Sequence, residues 1–540
     1  MGRGDGNIKK EAARIGKDDI PKLVKDLKTQ PQEAKEQVAH LLDALAMQST
    51  DHPLAMVNAG AIPPLVGLLE SGTDGGQIHA ASAIATIASV TKKYDSIVKA
   101  GAIKPLVMLL RMGSQRAQTY AAAAIASVSE QTSNKGLITR AGAISPLVRL
   151  VRSSVSVDAQ VHASNAIANL SAENPDAQNA IYAAGAVPLL LVLLESGKAQ
   201  VSAANALAQL LTPGVGEEPK PPNILPANTA IQEAIANEGG IALLLSLLNG
   251  MNTQGQVHAA AALSNLARGN KSTQDQIVKA GGIGPLLQML PSNVTQAQAQ
   301  AASALAQLAR FNQANQDMIA KSEGLPLLVQ LLANVNGLVV QAMAALAVAE
   351  LCRNNVGNQT TAADLGAISS LVVQVRGGIS GQGTDHVKAE AAGAIWVLSQ
   401  DHIQNKISIA GAGGISPIIN LLATGSTRGQ AHAANALASL GYQNIENQCQ
   451  IATLLVGLLG AGSPEAKSNA AASLWRLVEE NPSSQDWVAK AGPTSDLISL
   501  LKDGTEEAKG CEERKHLPPQ YPSFDPILLR VPHLLSCHLF

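Results

Sequence analysis

One phrase recurs along this chain. It reads AGAIPPLVGLLESG at 59–72, AGAIKPLVMLLRMG at 100–113, AGAISPLVRLVRSS at 141–154 and AGAVPLLLVLLESG at 184–197. It returns at 238–250, 280–293, 322–334, 365–378 and 412–425, with a worn copy at 491–504 and a degenerate one, IATLLVGLLGAG, at 451–462. Most spacings are 41 to 43 residues. A period of that length is the mark of a stacked-repeat architecture, in which a unit too apolar to stand alone buries its face against its neighbours.

Each unit parses into three helices. A short amphipathic stretch such as QDQIVKA at 274–280 is a first helix, stopped by Gly281 and Gly282, because glycine tolerates the sharp turn that follows. Pro64, Pro105, Pro146, Pro285 and Pro417 share one register at the opening of a second, leucine-rich helix, where a missing N–H costs nothing. An alanine-rich third helix follows, for example VHASNAIANLS at 161–171, with apolar residues at i, i+3, i+4 and i+7. Eleven such third helices are expected, ending near residues 46, 88, 129, 171, 211, 267, 309, 352, 399, 441 and 478. Aromatics are 2% of the chain, so this core has to be built from small aliphatic side chains on helices.

The AGxIxPLVxLL phrase followed by an AAxALxxLA helix resembles the armadillo repeat family over residues 18–504. The resemblance implies an all-α fold, a right-handed α-solenoid of about eleven repeats whose third helices line a concave groove. It also implies binding of extended peptides or partner proteins in that groove, as an interaction scaffold or adaptor. Residues 1–17 read as a disordered polar lead. The interval 212–229, TPGVGEEPKPPNILPANT, reads as a projecting proline-rich loop, and 505–540 as a divergent tail.

Aligning the third helices at i, i+3 and i+7 gives three rows on one ridge. The first carries His79, Tyr120, His162, His258, Gln300 and His432, with Met343 and Glu390 in the least certain register. The second carries Asn165, Asn205 and Asn435. The third carries Asn169, Gln209, Asn265, Gln307 and Arg476, with Glu350 and Val397. Asn and Gln hold both donors and acceptors, so a row of them can pair with the backbone of an extended peptide whatever its sequence. The four histidines lie on different repeats and cannot share one metal ion.

The repeats also look similar to those of importin-α, the nuclear-import adaptor, but the tryptophan expected four residues before each third-row Asn is replaced by Ser82, Asn165, Asn205, Ala261, Ser303 and Asn435. Few basic residues fall on the rows, which weakens a beta-catenin-like groove for acidic partners. A nuclear-import adaptor and a membrane-associated armadillo scaffold remain the alternative readings. Gly2 follows Met1, yet Gly6 stands where N-myristoylation wants Ser or Thr, so a membrane role would need a lipid that the sequence does not support.

With a net charge of −2, the chain offers no overall field for nucleic acid. Cys352, Cys449, Cys511 and Cys537 form no CxxC pair, and there is no HExxH, GxSxG or Walker loop. A non-enzymatic protein without cofactor or metal, cytoplasmic or nuclear, is expected. In the tail, Pro518, Pro519 and Tyr521 fit the PPxY form that WW domains bind.

Overall fold

A computed structural model describes residues 8, 10–152, 156–197, 199–213, 229–333, 337–378 and 383–478. Among them there is no strand: the chain is a succession of helices in repeating triplets. All eleven expected third helices are present, from Gln32–Ala46 and Asp74–Thr91 to Thr427–Gly441 and Pro464–Val478. The chain divides into two compact units, Met1–Ala280 and Gly281–Phe540.

In the first unit, six third helices stack in chain order, each against the one before. Their contact faces are alanine: Ala80, Ala81, Ala83, Ala121, Ala122, Ala124, Ala163, Ala166, Ala203 and Ala206 are all fully buried. Methyl side chains let neighbouring axes approach closely, while Leu65, Leu106, Leu147, Leu190 and Leu244 of the second helices fill the space behind them. Each such leucine contributes about 1.5–3 kcal/mol of burial. The second unit repeats the pattern with five third helices, Thr295–Ala309, Leu338–Cys352, Asp385–Ser399, Thr427–Gly441 and Pro464–Val478.

The turn between first and second helices needs a left-handed residue. Gly60, Gly101, Gly142, Gly185, Gly239, Gly281, Gly366 and Gly413 supply it, with φ between 72° and 87°. Glu323 stands in the same place at φ 63° and bears the Cβ strain that the glycines avoid. The prolines sit at the third position of the second helix, as Pro64 in Ile62–Ser71 and Pro285 in Ile283–Met289, still inside the turn whose N–H groups have no partner.

A second device was not legible as such. Buried Gln or Lys side chains early in the first helices donate to the main-chain carbonyls that end third helices. Gln178 Nε2 reaches Ser171 O, Gln209 O and Thr212 O, and Gln232 reaches Asn265 O and Arg268 O. In the second unit Gln316 reaches Ala309 O, Glu350 O and Arg353 O, and Lys406 Nζ reaches Tyr442 O at 2.6 Å. Carbonyls left over at a helix end thus find donors supplied from an adjacent helix.

The structure departs from expectation at three places. Residues 10–12 are helical and Ala12 is fully buried, so the stretch 1–17 is not wholly disordered. The degenerate copy at 451–462 has lost its turn: eighteen residues (445–462) stand where the previous repeat uses twenty-three (403–425), and first and second helices fuse into Ile445–Ala461. With neither glycine turn nor proline, nothing interrupts the hydrogen-bond ladder. The third departure, in the expected groove rows, belongs to the site. The worn copy at 491–504, most of the 212–229 loop and the whole tail lie outside the described residues, and with them Pro518, Pro519 and Tyr521.

Candidate groove on the third helices

The expected rows fall where the third helices are half-buried. His79 and Thr86, Tyr120, Ala123 and Ser127, or His162, Asn165 and Asn169 are partly exposed on helices whose other faces are closed. A period of i, i+3, i+7 keeps these side chains on one stripe. In the first unit the stripe opens into a cleft of about 510 Å³, with Tyr120, His162, Asn165, Asn169 and Asn205 in its lining beside Ser82 and Thr86.

What each polar side chain can offer depends on its partners. Among the described residues, the side-chain amides of Asn165 and Asn205 and the hydroxyl of Tyr120 make no hydrogen bond, and all three face the cleft. His162 is driven below the ordinary histidine range by burial, with Asp158 opposing, so at neutral pH its ring is uncharged and can donate and accept at once. The cleft therefore offers amide, phenol and neutral imidazole beside Ala85, Ala123 and Ala126, with serine and threonine hydroxyls and the Glu130 carboxylate also in its lining.

Other expected contacts are engaged within the chain. Asn169 Nδ2 donates to Ala126 O at 2.8 Å and Asn265 Nδ2 to Ala208 O at 3.0 Å, each tying a third helix to the one before. Gln209 Oε1 accepts from Thr212 Oγ1, and Asn435 Oδ1 accepts from Arg476 Nη1. His79 Nδ1 lies 2.9 Å from Asp43 Oδ2, its ring stacked 3.7 Å from that of His40. His258 Nε2 lies 2.8 Å from Gln254 Nε2, and burial lowers its pKa. Gln307 is 2% exposed and does not belong to the open face. Gln300 is half-buried on the stripe of the second unit.

The second unit's stripe also carries charges: Glu350 and Glu390, which the rows include, and arginines that the rows passed over. Glu350, 2% exposed, is gripped by Arg353 through Nε at 3.0 Å and Nη2 at 3.2 Å. Glu390, 3% exposed, lies 2.8 Å from Arg428 Nη2, and desolvation pushes its carboxyl up while Arg428 pulls it back. Arg310 is held below the ordinary guanidinium value by burial. Arg353 sits between two rings, 5.8 Å from the Phe311 centroid and 5.7 Å from that of Trp396. Arg428 Nε also contacts His432 Nε2 at 3.4 Å, and burial, with Arg428 and Arg353 nearby, drops the His432 pKa to about 4.

Arg310 and Arg353 each follow the last residue of a third helix, in LARFN and LCRNN, so they share a register that the three-row alignment did not include. Trp396 is half-buried beside Arg353 and His432.

Among the described residues, no three His, Cys, Asp or Glu side chains converge as a metal site, and no single helix is long and apolar enough to cross a membrane. A repeated three-helix unit whose third helices stack, within each compact unit, into a polar-edged face defines an α-solenoid of the class that typically serves as a protein-binding scaffold. Residues 49–89, 131–172, 228–268 and 270–310 match the Armadillo/beta-catenin-like repeat. The chain belongs to the armadillo repeat family.

A crystal structure of an engineered protein is similar at 31% identity and a TM-score of 0.62, over 78% of this chain and 98% of that one. A second engineered protein is 32% identical over 47% of this chain and 98% of its own, with a TM-score of 0.40. U-box domain-containing protein 12 of Arabidopsis thaliana is 34% identical over 103 residues, 17% of this chain, and the match spans only 16% of that protein's length.

Proposed function

We propose that this protein is a non-enzymatic scaffold whose first unit holds an extended segment of a partner protein by its main chain. The observation that carries this reading is the pair Asn165 and Asn205, one repeat apart, whose amides have no partner among the described residues and open on the same cleft. A primary amide donates and accepts at once and so matches a peptide unit of any sequence. Packed helices lie about 8–10 Å apart and an extended chain advances about 3.3 Å per residue, so amides on successive repeats meet peptide units about three residues apart.

Side chains of the segment would be read by the floor and walls, with Tyr120 and His162 as the polar contacts. The test is peptide selection on the full chain, followed by affinity measurement on the variant Tyr120→Phe/Asn165→Ala/Asn205→Ala. Affinity should drop by about tenfold or more, since each lost bond is worth about 0.5–1.5 kcal/mol, while the melting temperature stays put. Equal affinity in the variant overturns the reading.

A further inference from the structure

The second unit carries charge chemistry that neither the amide cleft nor the fold requires. Three guanidinium groups, Arg310, Arg353 and Arg428, surround two carboxylates, Glu350 and Glu390, leaving one positive charge in excess. The carboxylates are the buried members, at 2% and 3% exposure, while Arg353 and Arg428 are the more exposed partners of these pairs. Arg428 is the most accessible, with 48% of its side chain exposed. Its ion pair with Glu390 runs through Nη2, and a guanidinium has five N–H donors.

The surrounding rings strengthen the case. Phe311 is 47% exposed and sits in the left-handed turn that follows the third helices, the place held by Glu173, Gly269, Asn354, Asp401 and Gln443 in other repeats. From there its ring lies 5.3 Å from Arg310 Cζ and 5.8 Å from Arg353 Cζ. The neutral His432 ring accepts from Arg428 Nε, which orients the fork without adding charge. Gly393 makes the room for this: a Cβ there would come within 3.3 Å of His432 Nδ1.

We propose that Arg428, backed by Arg353 and the Trp396 and Phe311 rings, is a carboxylate-binding subsite for an acidic peptide segment. The Glu350 and Glu390 carboxylates fix the guanidinium groups in place and trim their charge to a single surplus. This rests on the reading of the stripe as a peptide-binding surface and adds its preferred side-chain chemistry: Asp or Glu at the second unit. The chain as a whole is slightly acidic, so the preference is local and must come from these groups.

The test uses the full chain and fluorescence anisotropy with a labelled Glu-Ser repeat peptide and its Gln-Ser counterpart. The wild type should prefer the Glu peptide by about tenfold at low salt, with the preference shrinking as salt rises. Arg428→Gln should abolish the preference. So should Arg428→Gln/Glu390→Gln, in which no buried carboxylate is left unpaired. Glu390→Gln alone frees Arg428 from its internal partner and should enlarge the preference.

Equal binding of the two peptides by the wild type, or a Glu390→Gln variant that gains nothing, overturns the proposal. Asn165→Ala/Asn205→Ala separates the two readings. If that variant holds both peptides as the wild type does, the amide cleft fails, while the carboxylate subsite is judged on the Glu-against-Gln ratio alone.

Discussion

Gln316 and Glu350 are tied across a repeat boundary: the Gln316 amide donates to the Glu350 main-chain oxygen at 2.9 Å, while Arg353 grips the Glu350 carboxylate. The same amide reaches Ala309 O and Arg353 O, so one buried side chain serves the ends of two third helices. Replacing it by leucine leaves those carbonyls without their donor. Gln316→Leu should cost about 2–3 kcal/mol in urea unfolding, whereas Gln313→Leu, at an exposed position of the same helix, should stay within about 0.5 kcal/mol. Equal costs would show that the amide is not a tie between repeats.

Glu323 offers a gain in stability. It holds the left-handed turn that glycine holds in eight other repeats. Glu323→Gly relieves the Cβ strain at the expense of unfolded-chain entropy, for a net gain of about 0.5–1 kcal/mol. Thermal unfolding checks it, and a loss of stability would contradict the strain argument.

Two asparagines one turn apart should behave differently. Asn169 bonds Ala126 O, and Asn165 has no hydrogen bond among the described residues. Asn169→Ala should cost about 1 kcal/mol of stability, and Asn165→Ala nearly nothing. Matching melts for the two variants would erase the distinction between tie and free contact.

His432 makes stability depend on pH. Its folded value is about 4 against an ordinary 6.5. Between those values the unfolded chain binds a proton that the folded chain does not, so stability falls as pH is lowered through that window, by up to about 1.4 kcal/mol per unit. Glu390, raised by burial, moves the other way in both proteins of the comparison. The stability difference between wild type and His432→Gln should slope from pH 6.5 to about 4 and flatten below. A flat difference throughout would contradict burial of a neutral ring.

The architecture was readable because it is periodic. Gly281, Pro285 and the alanines of 161–171 act through local geometry that every repeat restates, and the expected third-helix ends fall within three residues of those observed. The fused helix Ile445–Ala461 shows the same rule in reverse, since losing the turn residues loses the turn. The ridge itself was also legible, because i, i+3, i+7 is a property of any helix.

Which ridge residues remain free was not legible. Asn165 and Asn169 are the same residue type, four apart, and only the distance to Ala126 on the neighbouring helix separates them. Arg353 and Arg428 were missed because they stand at helix ends, off the rows. The recurring Arg after the third helix, at Arg268, Arg310 and Arg353, was the signal that could have found part of the cluster.

The most direct test of the central claim is site-specific photo-crosslinking. A photoreactive amino acid is placed in the cleft at position 120 or, as a control, on the exposed second-helix residue Met108. A peptide selected on the full chain should crosslink from position 120 and not from 108. Crosslinks from 108 alone would place recognition on the second helices and contradict the account.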